Sequence, residues 1–457
     1  MLRGSGYTPL LLAIALVVAG CQPLIADHAV AIEPVPTPLA ATNNVMAASE
    51  LLYAFVDVNV VTMTREEILP HQTVLVAGQR IVALGPVQQI VIPAAARQIP
   101  AAGHYLLPGL ADMHIHLREE TYLLLLIANG VTTVRNMDGR PYHLQWRAQI
   151  ARGERLGPRI FTTGPIIDQL PNKWSDDSTV TTAAGAAQIV SEQKALGYDF
   201  IKVYDGLTPS AYANVIAAAH AAGLPVVGHV PNTMRAMDVI LAGQRSIEHL
   251  DGYFGVYTDQ LPALITATVA HEVWNTPALI ILQQMAPTGD REYTRTQQAI
   301  LTYLPASVRQ LWWLPGDFTQ SGYAYRPVSA DNLQVVRQLY EAGAPLLLGT
   351  DAPMPCAVPG FAVHQELQNL IDAGLSPYAA LETATVNPAR FLGQLDQWGT
   401  VTVGKTADLL LLRANPLADI ANTTRIAGVM VKGRWLSQVD IQVMLDALAK
   451  SAGIQPY

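Results

Sequence analysis

Apolar residues along this chain fall into short runs, and what lies between the runs changes character twice. From Leu51 to Ile99 the runs (Tyr53–Val58, Thr73–Val76, Arg80–Gly85) are divided by turn pairs such as Gly78-Gln79 and Gly85-Pro86, which predicts a small β region. After Pro108 the rhythm becomes strand, loop, helix. Strands are expected at Leu110–Leu117, Val131–Met137, Arg159–Thr163, Phe200–Tyr204, Pro225–Val230, Ser246–Leu250, Val273–Ala278 and Pro345–Thr350. Helices are expected in stretches rich in Ala, Leu and Gln, such as Ala183–Leu196, Pro209–Ala222 and Asn332–Ala342. Eight alternating units in one run predict an α/β fold, a (β/α)8 TIM barrel over residues 108–398. A doubly wound sheet is the alternative, but it seldom carries eight regular units.

Past Asn387-Pro388-Ala389 the β character returns at Gly399–Gly404, Ala407–Leu412 and Ile426–Trp435. Residues 50–107 and 399–437 are therefore expected to build one small β-sandwich domain from both flanks of the barrel. A C-terminal helix and tail follow at 438–457, with apolar Ile441, Val443, Met444 and Leu448. The segment from Gln283 to Pro327, rich in Tyr, Trp and Gln, is long for a loop and is expected to cap the barrel mouth.

The N-terminus reads differently. Arg3 and the apolar run Leu10–Ala19 end in Val18-Ala19-Gly20-Cys21, a run too short to span a bilayer. It resembles the bacterial lipoprotein signal, with residues 1–20 removed and Cys21 lipidated; an ordinary signal peptide or a single anchor is the alternative. Lipid on Cys21 would hold the protein on the outer face of the cell membrane. Residues 21–49, with Pro34, Pro36 and Pro38, read as a flexible tether.

At 457 residues, 50% hydrophobic and 14% charged, the chain is a globular protein long enough for two domains. A net charge of −8 leaves no electrostatic footprint for nucleic acid. Of two cysteines, only Cys356 would remain as a free thiol, so a disulfide framework is excluded within the mature chain.

The chemistry sits where the strands end. His114 and His116 alternate on one strand, so both imidazoles share a face and can reach one metal ion. An isolated His-x-His is more often two ordinary histidines, and the later strands decide the matter. They end in Lys202 and Tyr204, in Gly-His229, in Glu-His249 and in Gly-Thr-Asp351, the C-terminal ends where barrel enzymes build their sites. Singly, His229 and His249 could be rim or core histidines, and Asp351 a helix cap. Lys202, in an apolar strand, is costly unless paired, neutralised or modified. Six ligand-type side chains at five of the eight expected strands point to a metal site.

These residues carry a family resemblance. Leu107-Pro-Gly-Leu-Ala-Asp-Met-His-Ile-His116, Gly130-Val-Thr-Thr-Val-Arg135, Lys202, Gly-His229, Ile-Glu-His249, Gly-Thr-Asp351 and Ala384-Thr-Val-Asn-Pro-Ala-Arg-Phe-Leu-Gly393 resemble the metal-dependent amidohydrolase superfamily. The resemblance leans to its imidazolonepropionase-like and Xaa-Pro-dipeptidase-like branch. It implies a first metal on His114, His116 and Asp351 and a second on His229 and His249. Lys202, carboxylated on its ε-nitrogen, would bridge the two divalent ions, zinc by default. It also implies hydrolysis of C–N (amide-type) bonds in small molecules or short peptides by a metal-bound hydroxide, with Asp351 as general base, then general acid. Tyr204 would assist at the carbonyl or contact substrate; a barrel-lining aromatic is the other reading. Arg135 reads as a carboxylate binder or a structural ion pair, and Glu248 as structural. His364 and Glu366 are expected behind the ligands, and Cys356 as a rim thiol. The chain departs from relatives where Gly164–Trp174 lacks a Gly-Gly-His and where Asn136 follows Arg135, which leaves dipeptidase specificity open.

Two other functions remain in view. One keeps the fold with a single metal, as a deaminase or cyclic-amide hydrolase. The other is a non-catalytic solute-binding lipoprotein. A homo-oligomer is compatible with every reading.

Overall fold

Threonines set where two helices of the repeating units begin. The Thr182 hydroxyl accepts the Gly185 N–H and starts the helix Ala183–Leu196, and the Thr208 hydroxyl accepts the Ala211 N–H and starts Pro209–Ala222. A side-chain oxygen that satisfies one of the orphan N–H groups of the first turn is the ordinary start signal. Both spans agree with the pattern reading. The computed structural model describes residues 52–169, 178–254, 260–285, 300–305, 308, 330–354 and 357–452. The expected signal peptide, Cys21, the tether, Cys356 and most of the 283–327 segment lie outside the described residues.

The N-terminal flank supplies β1 (Leu52–Val60), β2 (Leu69–Ala77), β3 (Arg80–Pro86), β4 (Arg97–Pro100) and β5 (Tyr105–Pro108). Next come β6 (Leu110–Ile115), β7 (Val131–Asn136) and β8 (Arg159–Thr162), a parallel arc of three strands. The strands β9 (Ile167–Asp168), β10 (Ser178–Thr179), β11 (Ile201–Val203), β12 (Val226–Gly228), β13 (Ser246–Glu248) and β14 (Trp274–Thr276) form a second parallel arc, ordered β10-β9-β11-β12-β13-β14. Single parallel bridges join Thr163 to Phe200, Asn275 to Leu346 and Ile115 to Ala352. The two arcs, with helices between their strands, make the α/β body of the molecule. Met113, Phe200, Val227, Trp274 and Leu347, each from a different strand or strand-like segment, pack with Phe391 and Trp398 in one buried cluster. Each such side chain contributes about 2 kcal/mol through removal of apolar surface from water.

The C-terminal flank adds β15 (Leu409–Leu412), β16 (Ile426–Val431) and β17 (Arg434–Ser437). β15 pairs antiparallel with β5, so both flanks enter one mixed sheet in the order β17-β16-β15-β5-β1-β2-β3, with β4 on β1. Phe55, Val58, Val74, Ile81, Leu106, Leu411 and Met430 form its core. The strands of both flanks are hydrogen-bonded into one sheet, and the two-layered sandwich expected from the sequence is not shown. The helix Gln438–Ser451 buries Ile441, Met444 and Leu448, but Val443 is exposed. No helix among the described residues is long and apolar enough to cross a membrane.

One expected strand is not regular. In Pro345–Thr350 the Leu347 N–H reaches Asn275 O and the Leu348 carbonyl takes the Met113 N–H, but the Leu348 N–H turns away to Thr383 O. With its donors split between three partners the segment cannot form a continuous ladder, and only Leu346 is bridged. The other strands expected in the repeating units are shorter than expected, β1 and β2 outrun the apolar runs that predicted them, and Gly399–Gly404 forms no strand. β11, β12 and β13 stop one residue before Tyr204, His229 and His249, which therefore stand just past the strand ends.

Candidate metal centre

Two glycines allow the site's elements to approach. At Gly349 a β-carbon would lie 2.7 Å from His114 Cβ and 2.4 Å from Thr276 Cγ2. Gly228, with φ +133°, would place one 2.2 Å from the Val203 carbonyl. Any side chain there would push apart the backbone that carries His114, His229 and Asp351. His249 and Asp351 have φ of 58° and 54°, a left-handed turn that His and Asp tolerate better than most residues. The turn takes each off its strand and over the end of the arc.

There the side chains meet. Asp351 Oδ1 lies 2.9 Å from His116 Nε2 and 3.3 Å from His114 Nε2, and Oδ2 lies 3.8 Å from His249 Nε2. The rings form a row: His116 to His114 at 5.5 Å between centroids, His114 to His249 at 4.6 Å, His249 to His229 at 5.0 Å, and His229 to Tyr204 at 4.3 Å. Ligand atoms of His114, His249 and Asp351 all lie within 4.8 Å of one another, and so do those of Asp205, His229 and Asp251. The second grouping differs from the pairing of His229 with His249 that the resemblance implies. His229 Nδ1 is 2.6 Å from Asp205 Oδ1 and 3.4 Å from Asp251 Oδ2. Lys202 is 1% exposed, and its Nζ has no hydrogen-bond partner among the described residues. That nitrogen lies 5.9 Å from the centre of the Tyr204 ring.

Burial shapes the charges. It lowers the Lys202 ammonium pKa, against the pull of Glu248 and Asp351, and favours the neutral amine. Burial also lowers His116, and His249 still further. For Asp351 burial pushes upward, but His114 and His249 outweigh it and hold the carboxyl well below the usual range. A carboxylate that stays ionised, set beside buried imidazole nitrogens, is a donor set suited to a divalent cation. The orphaned Lys202 Nζ, His116 Nδ1 and His249 Nδ1, buried without partners, fit the same reading.

Behind the ligands lies a layer that sequence reasoning saw only in part. Arg135 is fully buried, with Nη2 2.9 Å from both Glu248 oxygens and Nη1 2.9 Å from Ser246 Oγ. Of its two readings the structural ion pair is the one observed. Glu248, read as structural, also reaches His114 Nδ1 at 2.9 Å. Asp112, Asp205 and Asp251 were missed. The available signal was a carboxylate inside the His-x-His strand and two more within three residues of a strand-end candidate. His364 bonds Thr423, and Glu366 bonds the N–H groups of Leu279 and Ile280, so neither hydrogen-bonds a candidate ligand. Asn136 takes the Leu117 N–H and, with His143, fixes the loop after His116.

Comparison with known proteins follows the same lines. Residues 105–436 match the model of the amidohydrolase family. Adenine deaminase 3 of Rhizobium meliloti (strain 1021) is 24% identical over 393 residues, covering 82% of this chain and 56% of the relative. The adenine deaminase of Ruegeria sp. (strain TM1040) is 24% identical over 353 residues, 76% of this chain and 52% of the relative. The chain thus spans about half the length of these curated relatives. Among solved structures, a bottromycin amidohydrolase superposes with a TM-score of 0.72 at 27% identity, covering 90% of this chain and 94% of its own. A putative prolidase from Bifidobacterium longum gives 0.69 at 27%, covering 87% and 99%.

Proposed function

The chain belongs to the amidohydrolase family, and we propose from that premise that it hydrolyses amide-type C–N bonds in small molecules or short peptides. The observation that carries the proposal is the Asp351 carboxylate set against His114, His116 and His249, over a buried lysine amine with no partner. His114, His116 and Asp351 would hold one divalent ion, His229 and His249 a second, and Lys202, as its Nζ carbamate, would bridge them. A neutral amine adds carbon dioxide and loses a proton, and burial supports that state of Lys202. Zinc is the expected metal, supplying Lewis-acid polarisation of the scissile carbonyl and a lowered pKa for water.

The chain's own groups do the rest. Asp351, ionised at neutral pH, would take a proton from the attacking water on a carboxylate oxygen and return it to the leaving nitrogen. Tyr204, stacked beside His229, would meet the substrate at the mouth. The proposal takes the two parallel arcs and Pro345–Thr350 as one (β/α)8 barrel, supported by the three single bridges between them. Lipid on Cys21 would place the enzyme on the outer membrane face.

A second reading, a one-metal deaminase, is favoured by the curated relatives named adenine deaminases. The test is a screen of zinc-loaded full chain against Xaa-Pro and other dipeptides, N-acyl amino acids, lactams, lactones and adenine, with metal counted per chain. Two ions and amide turnover support the proposal. One ion with adenine turnover selects the deaminase, and binding of a ligand without turnover of any compound selects a solute-binding role.

A further inference from the structure

Two of the four histidines carry a carboxylate behind the ring, and two do not. Glu248 Oε2 lies 2.9 Å from His114 Nδ1, and Asp205 Oδ1 lies 2.6 Å from His229 Nδ1. By contrast, the Nδ1 atoms of His116 and His249 are buried without a hydrogen-bond partner.

The chemistry of that difference is definite. An ionised carboxylate only accepts, so the ring nitrogen facing it must carry the hydrogen. A ring protonated at Nδ1 and otherwise neutral keeps its lone pair at Nε2, and its plane is held by the hydrogen bond. Glu248 is fixed as the carboxylate it needs to be. Arg135 Nη2 lies 2.9 Å from both of its oxygens, Ser246 Oγ donates to Oε1 at 2.5 Å, and Arg135 and Glu248 side chains are both fully buried. Arg135 is in turn anchored on the Met113 carbonyl, one residue before His114. The clamp therefore joins β6, β7 and β13. At the other histidine, Asp251 Oδ2 stands 3.4 Å from the same Nδ1, a second carboxylate on the same side of the ring.

In the binuclear reading the two clamped rings also serve different ions, His114 with His116 and Asp351, and His229 with His249. We propose that Glu248 and Asp205 are positioning residues that lock His114 and His229 as Nε2 donors, and that each carboxylate governs the affinity of one of two metal ions. The inference rests on the binuclear reading given above.

The experiment counts zinc and measures its affinity by chelator competition in the full chain, wild type and variants, with folding followed by circular dichroism. Two ions in the wild type are expected. Asp205→Asn should hold one ion at wild-type affinity and bind the other about 10- to 100-fold more weakly. Glu248→Gln should weaken the other ion by a similar factor, and Asp205→Glu, which keeps the carboxylate, should restore part of the loss. Variants that fold and bind both ions as the wild type does overturn the proposal. A wild type with one ion sinks the binuclear reading, and the Asp205 half with it, while Glu248→Gln still decides the other half. Should Glu248→Gln not fold, histidine 15N spectra of the zinc-loaded wild type decide that half. His114 and His229 are expected protonated at Nδ1 and bound through Nε2; coordination of either ring through Nδ1 overturns the proposal.

Discussion

The Asp112 carboxylate accepts the Thr350 hydroxyl at 2.6 Å and the Thr350 N–H at 3.1 Å, joining β6 to the residue before Asp351. The same carboxylate takes the His114 N–H at 3.2 Å, and Asp351 N–H donates to the His114 carbonyl at 2.7 Å. One buried side chain thus sets the distance between the His-x-His and the candidate proton carrier. Thr350→Val keeps the shape but leaves Asp112 Oδ2 without its hydroxyl donor. A loss of about 1–3 kcal/mol is expected, with a fall in kcat larger than any change in KM. Urea denaturation and steady-state kinetics measure both, and an unchanged kcat would show that the link does not position Asp351.

Asp351→Asn retains an oxygen for ligation but cannot carry a proton. Activity should fall about 10²- to 10⁴-fold while the fold and bound zinc persist. Metal analysis alongside kinetics separates this from simple loss of the ion, since a variant emptied of zinc would assign Asp351 to binding alone.

Lys202→Met replaces a buried, unpartnered amine by an apolar chain of similar length. Thermal stability of the metal-free chain should hold or rise, because the desolvated amine no longer has to be accommodated. Zinc should drop from two ions to one per chain, and any stimulation of activity by bicarbonate should disappear. Two ions in the variant would argue against a bridging carbamate.

Glu366 offers a pH test away from the metal site. Burial raises its carboxyl from 4.5 to about 7, against the Leu279 and Ile280 N–H bonds that lower it. The folded state therefore holds the proton more tightly than the unfolded chain does. Its stabilising contribution is complete below about pH 4.5 and is lost as pH rises through about 7, an effect on the order of 3 kcal/mol. Urea midpoints between pH 5 and 8 should fall more steeply in the wild type than in Glu366→Gln. Parallel curves would mean that Glu366 titrates normally.

Much of this was legible in the chain, for a local reason. Helix spans such as Pro209–Ala222 follow from a threonine cap and a 3.6-residue rhythm, which neighbouring residues alone decide. The strand-end candidates were legible as residue types because the loop after each strand begins beside the site. Strand lengths were less so: a run like Pro345–Thr350 looks like any buried strand, and its irregularity comes from a carbonyl at Thr383.

What the sequence determined by itself was the alternation of elements and the identity of six ligand-type residues, because period and residue type are properties of short stretches. Only the tertiary structure decided who faces whom. It turned Arg135 inward onto Glu248, set Glu248 behind His114, drew His229 toward Asp205 and Asp251, and left Lys202 Nζ without a partner. Those pairings join residues up to 134 positions apart. A buried charge takes its partner from whichever strand closes over it, which no local pattern encodes.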